Sequence, residues 1–478
     1  MGRVVVVGGG VGGLAVAIRL RALGHEVTLL ERRSVLGGKL AVHEREGFVF
    51  DVGPSLVTLP YVFDELFRAA GTTLEAEVPM VRLDPQFRYR WRDGRCIDLR
   101  DDGCDEPGWE AFVARGKQIW EVSERTFFAG PMSNPWSLLR RMRRPTDLLA
   151  IDALRTLDRA ARRDFEDPHL VQWAGRYATY SGSSPYRAPA TLGCIAHVES
   201  AFGCWYPVGG LGAIRDALVR VSVQLGVGLR CDAEVAAIET STANRATARV
   251  IGVRLVGGEH IDAEVVVANT DAAHLYRDLL PHDRALRRVQ RAQPSTSGFV
   301  VLAGVAGTTA DIAHHNIWFS DDAQREFGEL DAGRLPDDPT IYGCVSSVSD
   351  ATQAPAGCEN WFLLVNAPAG LELDRDQATD RVLDRLAEHG VDLRSRATFV
   401  ESITPNDLAQ RYRSPSGAIY GTSSNGRRAA FVRPGNRGAV PGLYLVGGSA
   451  HPGGGLPLVL ISARIVAGLV RDDSQARR

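Results

Sequence analysis

Lysine is almost absent from this 478-residue chain. Lys39 and Lys117 are the only two among 55 basic residues, and the rest are arginine. Acids and bases nearly cancel, to a net charge of −2, which argues against nucleic-acid binding as the main role. The seven cysteines, Cys96, Cys104, Cys194, Cys204, Cys231, Cys344 and Cys358, include no C-x-x-C pair. Neither a disulfide framework nor a zinc motif follows from that spacing. No apolar run reaches the roughly 20 residues that a membrane span needs. The longest, residues 456–470, carries Arg464. No signal peptide is read before the first strand, which begins within a few residues of Met1. No H-E-x-x-H, Ser-His-Asp or Walker lysine motif occurs. The neighbours His314 and His315 are expected on opposite faces of a strand, so no metal site is expected. What remains is a cytoplasmic or peripheral globular chain long enough for two or three domains.

Glycine, by contrast, is abundant at 50 residues, and its placement is informative. Val4 to Val7 read as a short buried strand, and Gly8, Gly10 and Gly13 follow in the order G-x-G-x-x-G. A helical stretch, residues 14–23, ends at Gly24, and residues 25–30 lead a second strand into Glu31. Strand, glycine turn, helix and strand ending in a carboxylate form a dinucleotide fingerprint. Gly8 permits the tight turn, Gly10 lets backbone approach a pyrophosphate, and Gly13 allows helix to pack on strand. The helix N-terminus offers free N–H groups to the anion, and Glu31 can accept from a ribose hydroxyl. Gly37-Gly38-Lys39 soon afterwards suits a second phosphate and flavin contact. At the far end, a strand enters the glycine-rich stretch 447–457 and an apolar helix follows. The N-terminus of that helix would favour the negative charge a reduced flavin gathers.

Between these ends the pattern changes. Residues 61–70 are helical by period. Residues 81–99 alternate aromatic and charged side chains around Asp93-Gly94, which predicts an antiparallel hairpin. Residues 108–175 read mainly as helices. Within them, residues 138–154 interleave four arginines with aliphatics, which suits either a solvated arginine face or a helix resting on anionic lipid. Trp120, Phe127, Phe128, Trp136, Phe165 and Trp173 are core residues or the lining of a tunnel. Strand pairs are expected at 227–238 and 249–255, and an apolar parallel strand at 261–268. Further strands follow at 295–305, 342–348 and 361–366, with a helix at 376–389. The fold class is therefore α/β: a Rossmann-like FAD-binding domain of the glutathione reductase type, discontinuous in sequence, with an inserted α+β substrate domain. The FAD-binding parts are 1–77, 205–292 and 436–478; the substrate-domain parts are 78–204 and 293–435.

The fingerprint, Gly37-Gly38-Lys39, Phe50-Asp-Val-Gly-Pro-Ser55, Ser184-Pro-Tyr-Arg-Ala-Pro189, Trp205-Tyr-Pro-Val-Gly-Gly210 and His451-Pro-Gly-Gly-Gly-Leu-Pro457 occur in order. Together they resemble the bacterial phytoene desaturase-type carotenoid desaturases along essentially the whole chain. Arg176-Tyr-Ala-Thr-Tyr180 is more similar to the subgroup acting on hydroxylated or methoxylated carotenoids, the hydroxycarotenoid 3,4-desaturases. The resemblance implies FAD, a membrane-dissolved polyisoprenoid, C=C bond formation by hydride transfer to flavin, and peripheral membrane attachment. Motifs and resemblance give as cofactor-binding candidates Gly8, Gly10, Gly12, Gly13, Glu31, Arg32, Gly38, Lys39, Gly53, Pro54, Val235, Gly447, Pro452, Gly453, Gly454 and Leu456. Candidates for moving a proton are His451, Asp271 and Glu199. Alternatives on the same fold are a flavin amine or porphyrinogen oxidase and a carotenoid isomerase or oxygenase. Outside enzymes, the alternative is an isoprenoid-binding escort protein.

Overall fold

Val4 to Val7 are buried on every side, as a central parallel strand requires. In the computed structural model, which describes residues 2–132, 135–241, 248–426 and 429–476, that strand, Arg3–Val7, is the middle of a five-stranded parallel sheet. The order is Leu443–Leu445, Val265–Ala268, Arg3–Val7, Glu26–Leu30 and Gly228–Arg230. Helices Val11–Ala22, Pro60–Ala69, Gly212–Gln224 and Leu456–Ala476 bury their apolar faces with Leu14, Ile18, Phe63, Leu218 and Leu460 in one core. Leu460, Val466 and Val470 are almost fully buried in it. At about 1.5–3 kcal/mol each, such side chains hold the C-terminal helix to the N-terminal fingerprint.

A seven-stranded, mostly antiparallel sheet forms the second region. Its order is Ala397–Ile403, Ser297–Ala306, Cys358–Ala367, Ile341–Cys344, His315–Trp318, Phe87–Arg90 and Cys96–Leu99. The last two strands come from early in the chain. They join through a parallel pairing of Phe87–Arg90 with His315–Trp318. Helices Trp109–Thr126, Leu157–Asp164 and Pro168–Arg176 cover this end, around Trp109 and Trp173 stacked at 4.4 Å. The result is the expected α/β sheet with an inserted α+β region.

Several local expectations change. Residues 227–238 do not form one strand. Gly228–Arg230 joins the parallel sheet, whereas Val235–Thr240 pairs antiparallel with Val250–Leu255. Asp232, with φ of 52°, turns the chain between them. The expected strand at 342–348 ends at Cys344, and Ser346–Val348 forms a tight turn. The arginine-rich stretch is two short helices, Pro135–Leu139 and Thr146–Ala150, rather than one. Arg143 and Arg144 turn between them, their N–H groups donating to the buried Asp147. Among the described residues, no helix is long and apolar enough to cross a membrane.

Candidate functional site

Gly8 leaves the central strand with φ of 101°, which a residue bearing Cβ rarely adopts. A Cβ there would lie 2.8 Å from the Asn269 carbonyl, and one at Gly13 would lie 2.1 Å from the Gly8 carbonyl. The second glycine motif packs directly on the first. Gly37 N–H donates to Gly9 O at 2.8 Å, and a Cβ at Gly38 would sit 2.9 Å from Gly10 Cα. Helix Val11–Ala22 starts with no side-chain cap and no acid in its first turn. Its first N–H groups are left for an anion. Glu31, at the end of the second strand, accepts from Gly9 N at 2.8 Å and Arg33 N at 3.0 Å. Its carboxylate borders the cavity and has the capacity to accept further hydrogen bonds.

The C-terminal glycines close on the same place. Cβ atoms at Gly12 and Gly447 would each lie 2.7 Å from Asn269 Oδ1. Asn269 also donates to Gly8 O at 3.2 Å, so one amide joins three distant segments. Lys39 is half-buried and donates to Ile419 O at 2.7 Å. Burial pushes its ammonium below its ordinary value, and the charge of Asp271 opposes this. Asp271 accepts from Ala273 N at 2.8 Å, and burial pushes its carboxyl up. A second cation, Arg433, donates to Gly448 O at 2.6 Å and Thr422 O at 2.6 Å. Burial lowers it to about 10. No motif marks Arg433, whose guanidinium holds backbone carbonyls and so leaves no side-chain spacing in the sequence. Asn269 ends the apolar strand expected at 261–268, at the edge where such sheets bind ligands.

One cavity of about 890 Å³ runs from these loops into the second region. Trp91, Phe319, Phe327, Phe362, Tyr180, Tyr342 and Tyr420 line it. Trp91 and Phe319 stack at 4.7 Å. Of the aromatics expected as core or tunnel lining, Trp120, Phe165 and Trp173 are core, and Trp136 is exposed. Arg176 borders the cavity with its guanidinium 4.4 Å from the Phe87 ring centre and 5.2 Å from that of Tyr180. It donates to the hydroxyls of Tyr89 and Tyr180, each at 3.2 Å. Behind it, fully buried Glu199 accepts from Tyr177 at 3.0 Å and also from Tyr180. Burial pushes the Glu199 carboxyl up, while Arg176 pulls it down.

The structure thus gathers Gly8, Gly10, Gly12, Glu31, Arg32, Gly38, Lys39, Gly53, Pro54, Val235, Gly447, Gly454, Leu456 and Asp271 around one cavity. Gly13, Pro452 and Gly453 are not on its lining. Gly13 packs against the Gly8 backbone, and a Cβ on Gly453 would meet the Arg433 guanidinium at 3.5 Å. Glu199 stands one layer behind the wall. His451 is held away from it, with Nε2 3.0 Å from Phe127 O and 3.2 Å from Gly130 O. Burial brings its imidazole down to about 4. One expectation from the sequence is overturned: His314 and His315 do not diverge. His314 precedes the strand His315–Trp318, and the two rings lie 4.5 Å apart.

An uncapped helix start, paired glycine loops and a carboxylate at the second strand's end fit a dinucleotide. The family model of flavin-containing amine oxidoreductases matches residues 11–471, and the chain belongs to that family. Its cofactor is FAD. Across 99% of its length the chain is 34% identical to the 4,4'-diapolycopene oxygenase of a Methylomonas species, 99% of which is covered. It is 33% identical to the 4,4'-diaponeurosporene oxygenase of Staphylococcus haemolyticus, over 97% of this chain and 96% of that one. Among solved structures, wild-type putrescine oxidase bound to putrescine superposes with a TM-score of 0.68 over 99% of both chains, at 14% identity. That likeness concerns the fold.

Proposed function

We propose that this chain oxidises C–H bonds of a linear carotenoid or closely related polyisoprenoid with FAD, and that oxygenation is its reaction. The observation that carries this reading is the single cavity joining the glycine cradle to a chamber walled by Trp91, Phe319 and Phe362. Full-length similarity to two carotenoid oxygenases supports oxygenation. The ordered motifs of the desaturase-type enzymes support a second reading, C=C formation in the same chamber.

Glu31 is assigned the ribose, and the N–H groups at the start of Val11–Ala22 the diphosphate. Lys39, Gly53, Pro54 and the loop at Gly447 and Gly454 are assigned the ring system. FAD bound there supplies a two-electron acceptor for a C–H bond laid beside it. The protein's own task is to hold a greasy chain against that point and keep water out. Stacked Trp91 and Phe319 offer flat apolar surface to a polyene. Asp271, raised by burial and pulled down by the Ala273 N–H and by Lys39, is a cavity-lining group suited to hold a proton. His451 and Glu199 act at one remove, bracing the loops and the arginine cluster.

The substrate class also needs a route from lipid. Trp136, Leu149 and Leu154 are exposed by 70%, 77% and 68%, beside exposed Arg140, Arg143 and Arg144. This face is assigned to an anionic membrane surface, where each arginine contributes about 1 kcal/mol. Coexpression with a pathway making acyclic carotenoids, with oxygen-labelled water and oxygen-labelled dioxygen in separate runs, tests the function. Labelled oxygen in the pigment is the expected result. A longer polyene without label would favour desaturation, and an unchanged pigment with every acyclic carotenoid supplied would overturn both.

A further inference from the structure

His314, His315 and Cys344 form a buried cluster that the flavin site does not use. They are 2%, 0% and 6% exposed, and one ring nitrogen from each histidine lies with the Cys344 sulfur inside a 4.8 Å triangle. The fold brings them together in two ways. His315 and Cys344 are cross-strand partners in the antiparallel pairing of His315–Trp318 with Ile341–Cys344, so their side chains share one face. His314 sits on the turn before the strand. There Asn316 clamps the Ala313 backbone, accepting from its N–H at 3.1 Å and donating to its carbonyl at 2.6 Å. That turn swings the His314 ring to the side of His315.

The hydrogen bonds leave specific atoms free. His314 Nδ1 pairs with Ser349 Oγ at 3.0 Å, and His315 Nδ1 with the Tyr342 hydroxyl at 2.9 Å. Among the described residues, both Nε2 atoms are buried without a partner. A buried polar atom without a partner is costly, and two beside a thiol in one place call for a shared occupant. We propose that His314, His315 and Cys344 bind one thiophilic metal ion, Zn²⁺ or Cu⁺, through the two free Nε2 atoms and the sulfur.

Two imidazoles and a thiolate are ligands both ions accept. Binding displaces the thiol proton to solvent, and no electron is transferred. The thiolate cancels the charge of Cu⁺ and halves that of Zn²⁺, which suits a buried centre. The ion would also fix the tautomer of His315, since ligation through Nε2 leaves the proton on Nδ1. His315 then donates to Tyr342, whose hydroxyl contacts Ser55 Oγ, and both Tyr342 and Ser55 line the cavity. The metal would thereby orient a hydroxyl on the chamber wall without touching the substrate.

The test uses untagged, FAD-loaded protein made with zinc and copper supplied, then dialysed against a chelator. Metal analysis should give about one ion per chain, and X-ray absorption about one sulfur near 2.3 Å and two nitrogens near 2.0–2.1 Å. Cys344→Ser and His315→Asn should each lose roughly tenfold or more of the bound metal while keeping FAD. The identity of the retained ion separates zinc from copper. Wild-type protein with only trace metal would overturn the site and leave a bound water as the occupant. Metal retained in both variants, or ligation without sulfur, would overturn it as well. If the variants fail to fold, the wild-type stoichiometry and absorption spectrum decide alone. None of these readouts depends on the carotenoid assignment.

Discussion

The glycine cradle around Gly8, Gly10 and Gly13 and the arginine cluster around Arg176 border the same cavity and are built in contrary ways. In the cradle, backbone approaches backbone. A Cβ at Gly13 or Gly38 would collide with main-chain atoms of Gly8 or Gly10. In the cluster, the chamber wall is shaped by what side chains add. Arg176 is packed over Phe87, Tyr89, Tyr177 and Tyr180, and its countercharge, Glu199, is fully buried. The cradle's cost is backbone freedom. The wall's cost is desolvation of a charge pair, which is tolerable only while both partners remain.

That contrast is most directly broken at Glu199. Glu199→Ala leaves the Arg176 guanidinium buried, with its nearest carboxylate, 3.9 Å away, removed. Truncating one partner of a buried pair costs about 3–5 kcal/mol. Chemical unfolding of the FAD-loaded protein should show a loss of that size, while the cradle still retains flavin. Combining it with Arg176→Met should restore much of the stability. A single variant as stable as the parent would mean that the wall does not depend on the pair.

The cradle has its own test in Glu31→Ala. Here the loss should appear in cofactor affinity, because the carboxylate borders the cavity. A hydrogen bond to a charged acceptor is worth about 1.5–3 kcal/mol, so FAD should bind roughly ten- to a hundredfold more weakly. Glu31 also holds the N–H groups of Gly9 and Arg33. Glu31→Gln, which retains one carbonyl acceptor, should therefore fall between. FAD titration of the apoprotein reads both, and equal affinity in all three proteins would remove Glu31 from the cofactor's contacts.

The same contrast explains what could be read from the sequence. Gly8, Gly10, Gly13 and Glu31 were legible because a turn and a helix start impose fixed spacing on neighbouring residues. Strand Gly228–Arg230 was misjudged because its place beside Glu26–Leu30 depends on a partner about 200 residues away. The chamber wall was largely illegible. Trp91, Phe319 and Phe362 come from three separated strands or their ends, and only the sheet order makes them neighbours. The histidine pair misled for a related reason. The rule that adjacent residues diverge holds inside a strand, and His314 lies just outside one.

The smallest expected effect lies at the seam between the two regions. Phe48 and Phe50 on strand Phe48–Asp51 pack against Phe399 of the seven-stranded sheet. The next carboxylate on that strand, Asp51, faces the other way. It accepts from Leu211 N at 2.8 Å and Gly212 N at 3.3 Å, at the start of helix Gly212–Gln224. Burial pushes its carboxyl up to about 6, against the pull of those N–H groups and of Arg215. The folded chain therefore holds this proton more tightly than the unfolded chain, whose aspartate titrates near its ordinary value of about 4. Between those values the folded state binds more protons, so this group's contribution to stability falls as pH rises from about 4 to about 6 and is flat above. Asp51→Asn removes that proton equilibrium. The difference in thermal midpoint between parent and variant, followed from about pH 4.5 to 7, should drift in the variant's favour as pH rises and then level off. A difference independent of pH would mean that the N–H groups at the helix start outweigh burial, and that Asp51 joins the two regions as a permanent carboxylate.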